Sequence, residues 1–144
     1  MTTNDLFQLV YVSQAGDDVD LWTLEAIRRE SEANNARLGV TGVLLLGGGC
    51  FLQLLEGPRD VIAPLYGKIA IDPRHFQPIV LYAGPAKGRT AGEWHMGVID
   101  ARPSQPGAVL ELAERLEAYD ESIGSPGAAM VSLFRELTQA KQSA

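Results

Sequence analysis

At 144 residues, 46% hydrophobic and 21% charged, the chain is the size and composition of one globular domain with an ordinary core. A formal net charge of −6 repels phosphate and argues against direct nucleic-acid binding. One cysteine, Cys50, excludes an internal disulfide; with no signal pattern in Met1–Asp5 and no apolar run near the roughly 20 residues of a spanning helix, the chain reads as cytoplasmic, with no membrane partner.

Residues 6–13 (LFQLVYVS) are β-rich and predict a strand. Asp20 is placed to cap a helix to about Arg37, with Leu21, Leu24, Ile27 and Ser31 on one stripe and Gly39 at its stop. Residues 40–46 and 50–56 are apolar strands joined by a tight turn at Gly47-Gly48-Gly49. Pro58 suits the first turn of a second helix to about Ile71, where Pro64 and Gly67 predict a bend or weak turn. Residues 77–83 and 94–100 read as two more strands. The order βαββαββ is an α+β pattern of the ferredoxin-like kind, a five-stranded mixed sheet with both helices on one face.

The other face is apolar too. Val10 and Val12 alternate with Leu9 and Tyr11, and Leu52 and Leu54 with Phe51, Gln53 and Leu55. A sheet apolar on both sides needs two covers, and the tail supplies the second. Val109, Leu112, Ala113 and Leu116 share a stripe, as do Met130, Leu133, Phe134 and Leu137. This divides the chain into a core, 1–102, and a helical extension, 103–144, with helices near 107–119 and 127–140 separated at Ser125-Pro126-Gly127.

The informative residues break the apolar pattern. Gln53 sits mid-strand on the face predicted to meet the first two helices, where an amide without partners costs about 1–3 kcal/mol. Tyr11 lies on the matching face of the first strand, and Asn35 near the end of the first helix on its inward side. Phenol and amides converging in an apolar cleft are how proteins orient a small molecule; the same residues also suit a purely structural hydrogen bond and a helix cap. On the second helix Val61, Leu65, Lys68 and Asp72 share a stripe, followed by Arg74-His75. Lys68 and Asp72 at i, i+4 fit either a solvated ion pair or contacts to a ligand's polar edge. Trp94 and Met96 alternate on one face of the last strand. No phosphate loop, metal cluster or nucleophile–base set is evident, so neither a metal site nor a catalytic residue is predicted.

Five blocks, LVYVSQA (9–15), SEANNARLGVTGVLL (31–45), FLQLLEGPRDVI (51–62), IAIDPRH (69–75) and WHMGV (94–98), resemble the BLUF domains, bacterial sensors of blue light using FAD. The resemblance covers about residues 6–100. It implies a photoreceptor rather than an enzyme, binding FAD (with FMN or riboflavin as other flavin forms) without a covalent bond. Tyr11 and Gln53 match the photoactive tyrosine and the switching glutamine. Asn34, Asn35, Lys68, Asp72, Arg74 and His75 match positions around the flavin, and Trp94 and Met96 match a last-strand pair proposed to relay the signal. Three departures stand out: SEANN replaces a commoner SRxNN, Pro64 lies inside the second helix, and GRTAGEW replaces RxFxxW, which implies a looser entry to the last strand. The family mechanism passes an electron and a proton from tyrosine through glutamine, whose amide then rotates or tautomerises. The expected partners are the flavin, a second copy of the chain in a dimer or larger assembly, and a downstream protein reached through the tail helices. The rivals are a small acylphosphatase-like hydrolase using Arg74 and Asn35 on an anion, and a module binding a colourless metabolite.

Overall fold

The computed structural model describes residues 5–118 and 121–143. The reading of the first residues as free of a signal pattern, and the predicted end of the third helix at 119, lie outside them. The elements follow the predicted order: β1 (Leu6–Ala15), α1 (Leu21–Leu38), β2 (Thr41–Gly47), β3 (Cys50–Pro58), α2 (Arg59–Ala70), β4 (His75–Pro85), β5 (Gly97–Asp100), α3 (Pro106–Glu117) and α4 (Pro126–Ser143), with a short 3-10 turn at Glu121–Ile123.

The strands form one sheet in the order β4-β1-β3-β2-β5. β5 runs parallel to β2 and the other pairs are antiparallel, which makes the sheet mixed. Helix α1 connects β1 to β2 across β3, the split βαβ arrangement of ferredoxin-like folds. Asp20 caps α1 by accepting from the Thr23 amide at 2.8 Å, and Gly39 ends it in the left-handed region at φ 73°. Gly48 and Gly49, at φ 60° and 77°, make the two-residue hairpin turn, where both positions need positive φ. α2 is continuous through Pro64.

The sheet is covered on both faces, and the near-unbroken apolar runs of β2 and β3 are explained by that. Leu9, Tyr11, Leu44, Leu46, Phe51 and Leu55 pack with Leu24, Ile62 and Leu65 on the side of α1 and α2. Val10, Val43, Leu45, Leu52 and Leu54 pack with Val109, Leu112, Leu116, Met130, Phe134 and Leu137 on the side of α3 and α4. Each large apolar side chain fully buried contributes about 1.5–3 kcal/mol. Leu21, expected on the inward stripe of α1, is instead 68% exposed, because it stands in the first turn of the helix, and the stripe reaches the core at Leu24 and Ile27. β4 is an edge strand with Phe76 and Ile79 exposed, and its register against β1 shifts twice; Gln77 takes φ 52° at the second shift, beside Pro78, a residue an edge strand tolerates.

Candidate functional site

Tyr11 and Gln53 are direct register partners across β1 and β3, so two residues 42 apart in sequence stand side by side. Both are buried, at 3% and 4% exposed, and both point toward α1 and α2. The Tyr11 hydroxyl donates to Gln53 Oε1 at 2.5 Å. Burial pushes the Tyr11 phenol well above its usual range, with Tyr66 and Asp72 adding to the effect; the Tyr66 ring centroid lies 5.4 Å away. The other end of the Gln53 amide donates from Nε2 to Met96 Sδ at 3.4 Å. A thioether only accepts, so Met96 favours the orientation with Oε1 toward Tyr11.

These groups line a cleft of about 260 Å³ between the sheet and the two helices. Its walls include Ile27, Leu44, Phe51, Leu55, Leu65 and Ile69. Asn35 enters from the last turn of α1, with Nδ2 donating to His95 O at 2.8 Å; its backbone carbonyl, not its side chain, ends the helix by accepting from Val40 N at 2.9 Å. Asn34, half-buried at the rim, accepts from Arg37.

The α2 end differs from the Lys68–Asp72 pairing considered from sequence. Lys68 is exposed at the rim, and no ion pair involving it is found among the described residues. Asp72 pairs instead with Arg74 at 2.5 Å, because helix α2 ends at Ala70 and the turn brings Arg74 back over it. The Arg74 hydrogen bond holds the Asp72 carboxyl below its usual range. Arg74 also reaches Glu30 of α1 at 3.1 Å, which ties α1 to the turn after α2 across the mouth of the cleft. His75 is buried with both ring nitrogens engaged, Nδ1 with Ser13 Oγ at 2.6 Å and Nε2 with Ile69 O at 2.6 Å. A backbone carbonyl only accepts, so Nε2 carries a proton.

Trp94 and Met96 do not share a strand face. β5 begins only at Gly97, so the pair sits in a bend where the alternation of a pleat does not apply. Met96 enters the cleft side, whereas Trp94 meets Phe134 of α4 edge to face with ring centroids 5.0 Å apart, and the Arg135 guanidinium lies 5.0 Å from its ring. The looser entry implied by GRTAGEW is not found: Arg89, Thr90 and Ala91 all donate hydrogen bonds back to β2, β3 or the turn before β2. Sequence reasoning missed Ser13, which alternation places on the Tyr11 face two residues on, and Glu30, which carries no periodic signal. It also missed Glu56, a carboxylate hidden at the end of an apolar strand.

An apolar slot ending in amide groups, with charged residues at its mouth, fits a planar ring system with one polar edge and a polar tail. Among the described residues no cluster could hold a metal ion, and no helix is long and apolar enough to cross a membrane.

Residues 6–97 match the BLUF family, described as sensors of blue-light using FAD. The chain is 41% identical over 90 residues to the photoactivated adenylate cyclase subunit beta of Euglena longa, a match spanning 62% of this chain and 10% of that protein. It is 34% identical over 106 residues to the blue light- and temperature-regulated antirepressor BluF of Escherichia coli K12, spanning 74% of this chain and 26% of that one. The chain thus spans a tenth to about a quarter of the length of these curated relatives. Among solved structures, the dark state of the BLUF protein BlrB matches at TM-score 0.70 and 29% identity, covering 96% of this chain and 99% of BlrB. A bacterial light-regulated adenylyl cyclase matches at TM-score 0.68 and 30% identity, covering 81% and 34%. With its fold, its apolar cleft and its matched residues agreeing, the chain belongs to the BLUF family and is a flavin-binding sensor of blue light.

Proposed function

We propose that the bound flavin is FAD and that the Tyr11–Gln53 pair is the light switch. The observation that carries this reading is the buried hydrogen bond from Tyr11 to Gln53 in the apolar cleft. Asn35 and Asn34 from α1 would hold the polar edge of the ring. Lys68, Asp72 and Arg74 at the mouth would meet its hydroxyl and phosphate tail, and His75, with both nitrogens engaged, would contribute a fixed ring wall.

The flavin supplies, when bound, absorption of blue light and an excited state that oxidises phenols. Tyr11 is the phenol placed to give an electron to the bound flavin and to take it back, and its proton would leave and return along the 2.5 Å bond to Gln53 Oε1, so that only the Gln53 hydrogen bonds are left changed. Gln53 then exchanges donor for acceptor, by rotation or by tautomerisation; rotation takes from Met96 the N–H it accepts in the present arrangement, and tautomerisation leaves Nε2 one proton instead of two. Leucine and phenylalanine walls keep water from supplying substitute partners. No bond to the flavin is made in this scheme, so the state relaxes in the dark. The change leaves through Met96 and Trp94 to the extension 103–144, which meets either a second copy of the chain or a cytoplasmic protein partner; residues 1–102 form the sensing core. The output is a contact, not a reaction catalysed by these residues.

The test is an absorption spectrum of the purified chain before and after blue light, with the released flavin identified by chromatography. FAD and a reversible red shift, abolished by Tyr11→Phe and by Gln53→Leu with the flavin retained, are expected. A normal shift in both variants removes the pair from the mechanism, and FMN or riboflavin as the native flavin refutes the FAD assignment.

A further inference from the structure

Glu56 lies three residues beyond Gln53 on β3, so it points to the opposite face of the sheet. It is fully buried, at 0% exposed. Every neighbour of its carboxylate donates: Gln8 Nε2 at 2.7 Å, the Thr41 hydroxyl at 3.1 Å, the Thr90 amide at 2.6 Å, the Thr90 hydroxyl at 2.8 Å and the Ala91 amide at 2.8 Å. Thr41 in turn accepts from Arg89 at 2.8 Å. A carboxylate in a core is costly unless its oxygens are satisfied in this way, and an apolar residue would fill the place at less risk. What Glu56 holds accounts for its presence.

The connection between β4 and β5 carries both Trp94 and Met96, yet it has no strand or helix of its own from Ala86 to Met96. It is pinned toward both ends, with Arg89 adding bonds to Thr41 and to the Gly39 carbonyl. Near Met96, Asn35 and the Gly42 amide bond the carbonyls of His95 and Trp94. At Thr90 and Ala91 the anchor is the Glu56 carboxylate. The same cluster meets α4. A Cβ at Gly127, in the first turn of α4, would stand 2.7 Å from both Gln8 Nε2 and Thr90 Oγ1, so the helix seats directly on the hub. Further along, Phe134 and Arg135 of α4 cover Trp94. Gln8 and Glu56 are register partners, as are Tyr11 and Gln53. Two adjacent strands therefore carry the Tyr11–Gln53 pair on one face and the Gln8–Glu56 pair on the other.

We propose that Glu56 is a positioning residue that makes the Thr90–Met96 segment a lever between the cleft and α4, by fixing Thr90 and Ala91 against the sheet and the first turn of α4. The proposal rests on the reading of Tyr11 and Gln53 as the switch. When Gln53 withdraws its N–H from Met96, the Met96 end loses its one bond to the switch and shifts against its backbone anchors, while the other end stays held at Glu56. The displacement is then delivered to Trp94 and its α4 contacts. With Glu56 disabled, the slack connection absorbs it.

The experiment is amide hydrogen exchange on the flavin-loaded full chain, in the dark and under blue light. In Glu56→Gln one carboxylate oxygen becomes an N–H₂ facing other donors. That variant is expected to keep the red shift of the flavin band, to exchange at residues 90–96 at least about tenfold faster in the dark, and to lose the light–dark difference over 126–135. Leu116→Val, which weakens the α3 core without touching the hub, is expected to keep that difference. Should Glu56→Gln fail to fold, Thr90→Val, which removes the hydroxyl bonded to Glu56 and Gln8, is expected to at least halve it. A parental light–dark difference at α4 in Glu56→Gln overturns the proposal. So does an equal loss in Leu116→Val, or a parent that shifts its spectrum with no difference at α4. A parent with no spectral shift overturns the switch reading instead.

Discussion

A double-mutant cycle on Tyr11 and Gln53 tests the central pair without light. In the flavin-free protein, Tyr11→Phe leaves Gln53 Oε1 facing a buried site with no phenol to donate to it. Leaving such a group unpaired costs about 1–3 kcal/mol. Gln53→Leu strands the Tyr11 hydroxyl at similar cost, since at 3% exposed it has little water to turn to. The double variant removes both partners and replaces them with apolar groups of similar shape, so it is expected to cost less than the two singles together. The coupling is about 1–2 kcal/mol. For a chain of this size each kcal/mol moves the melting temperature by about 3–5 °C, so the double variant melts several degrees above the additive expectation. Thermal and urea unfolding followed by circular dichroism measure it. Additive single effects, with coupling below about 0.3 kcal/mol, would refute the claim that the two side chains depend on each other. In the flavin-loaded protein the coupling is expected to shrink, because a ligand carbonyl offers Gln53 another partner.

Met96→Leu keeps the volume but removes the sulfur that accepts from Gln53; losing a weak bond of up to about 1 kcal/mol is expected to prolong the lit state about two- to fivefold, and flash recovery kinetics showing a shorter lifetime would count against it. Gly97→Ala places a Cβ 2.7 Å from Phe134 Cζ, so the ring must shift; a loss of about 1–3 kcal/mol and a changed Trp94 fluorescence are expected, and a silent variant would contradict the packing. Arg74 lowers the folded pKa of Asp72 below its usual 3.8, so the pair stabilises the fold above that pH and its contribution is lost as pH falls through the lower folded value. Asp72→Asn is expected to flatten that acid limb in a circular-dichroism titration, and an unchanged limb would refute the ion pair as its source.

Periodicity alone placed Tyr11 and Gln53 on one sheet face, Val10 and Leu52 on the other, and two amphipathic helices over the second, because alternation and helical stripes are local properties of the chain. Local chemistry likewise marked the Asp20 cap, the Gly39 stop and the turn at Gly48 and Gly49. The five blocks of resemblance supplied the flavin and the roles of the pair. What stayed illegible depends on which distant segments meet. The choice of Arg74 over Lys68 as the partner of Asp72 follows from where α2 stops and how the chain turns back. The division of Trp94 and Met96 between two faces follows from a bend that leaves no pleat to alternate. Glu56 was not singled out from the sequence; Gln8, Thr41 and the return of Thr90 and Ala91 from 34 and 35 residues away give its carboxylate donors and make its burial tolerable. Residue types and their period determined the layers and the shared face of Tyr11 and Gln53 in this protein, whereas the hydrogen-bond partners of its buried polar groups were decided by long-range chain return, which no local pattern encodes.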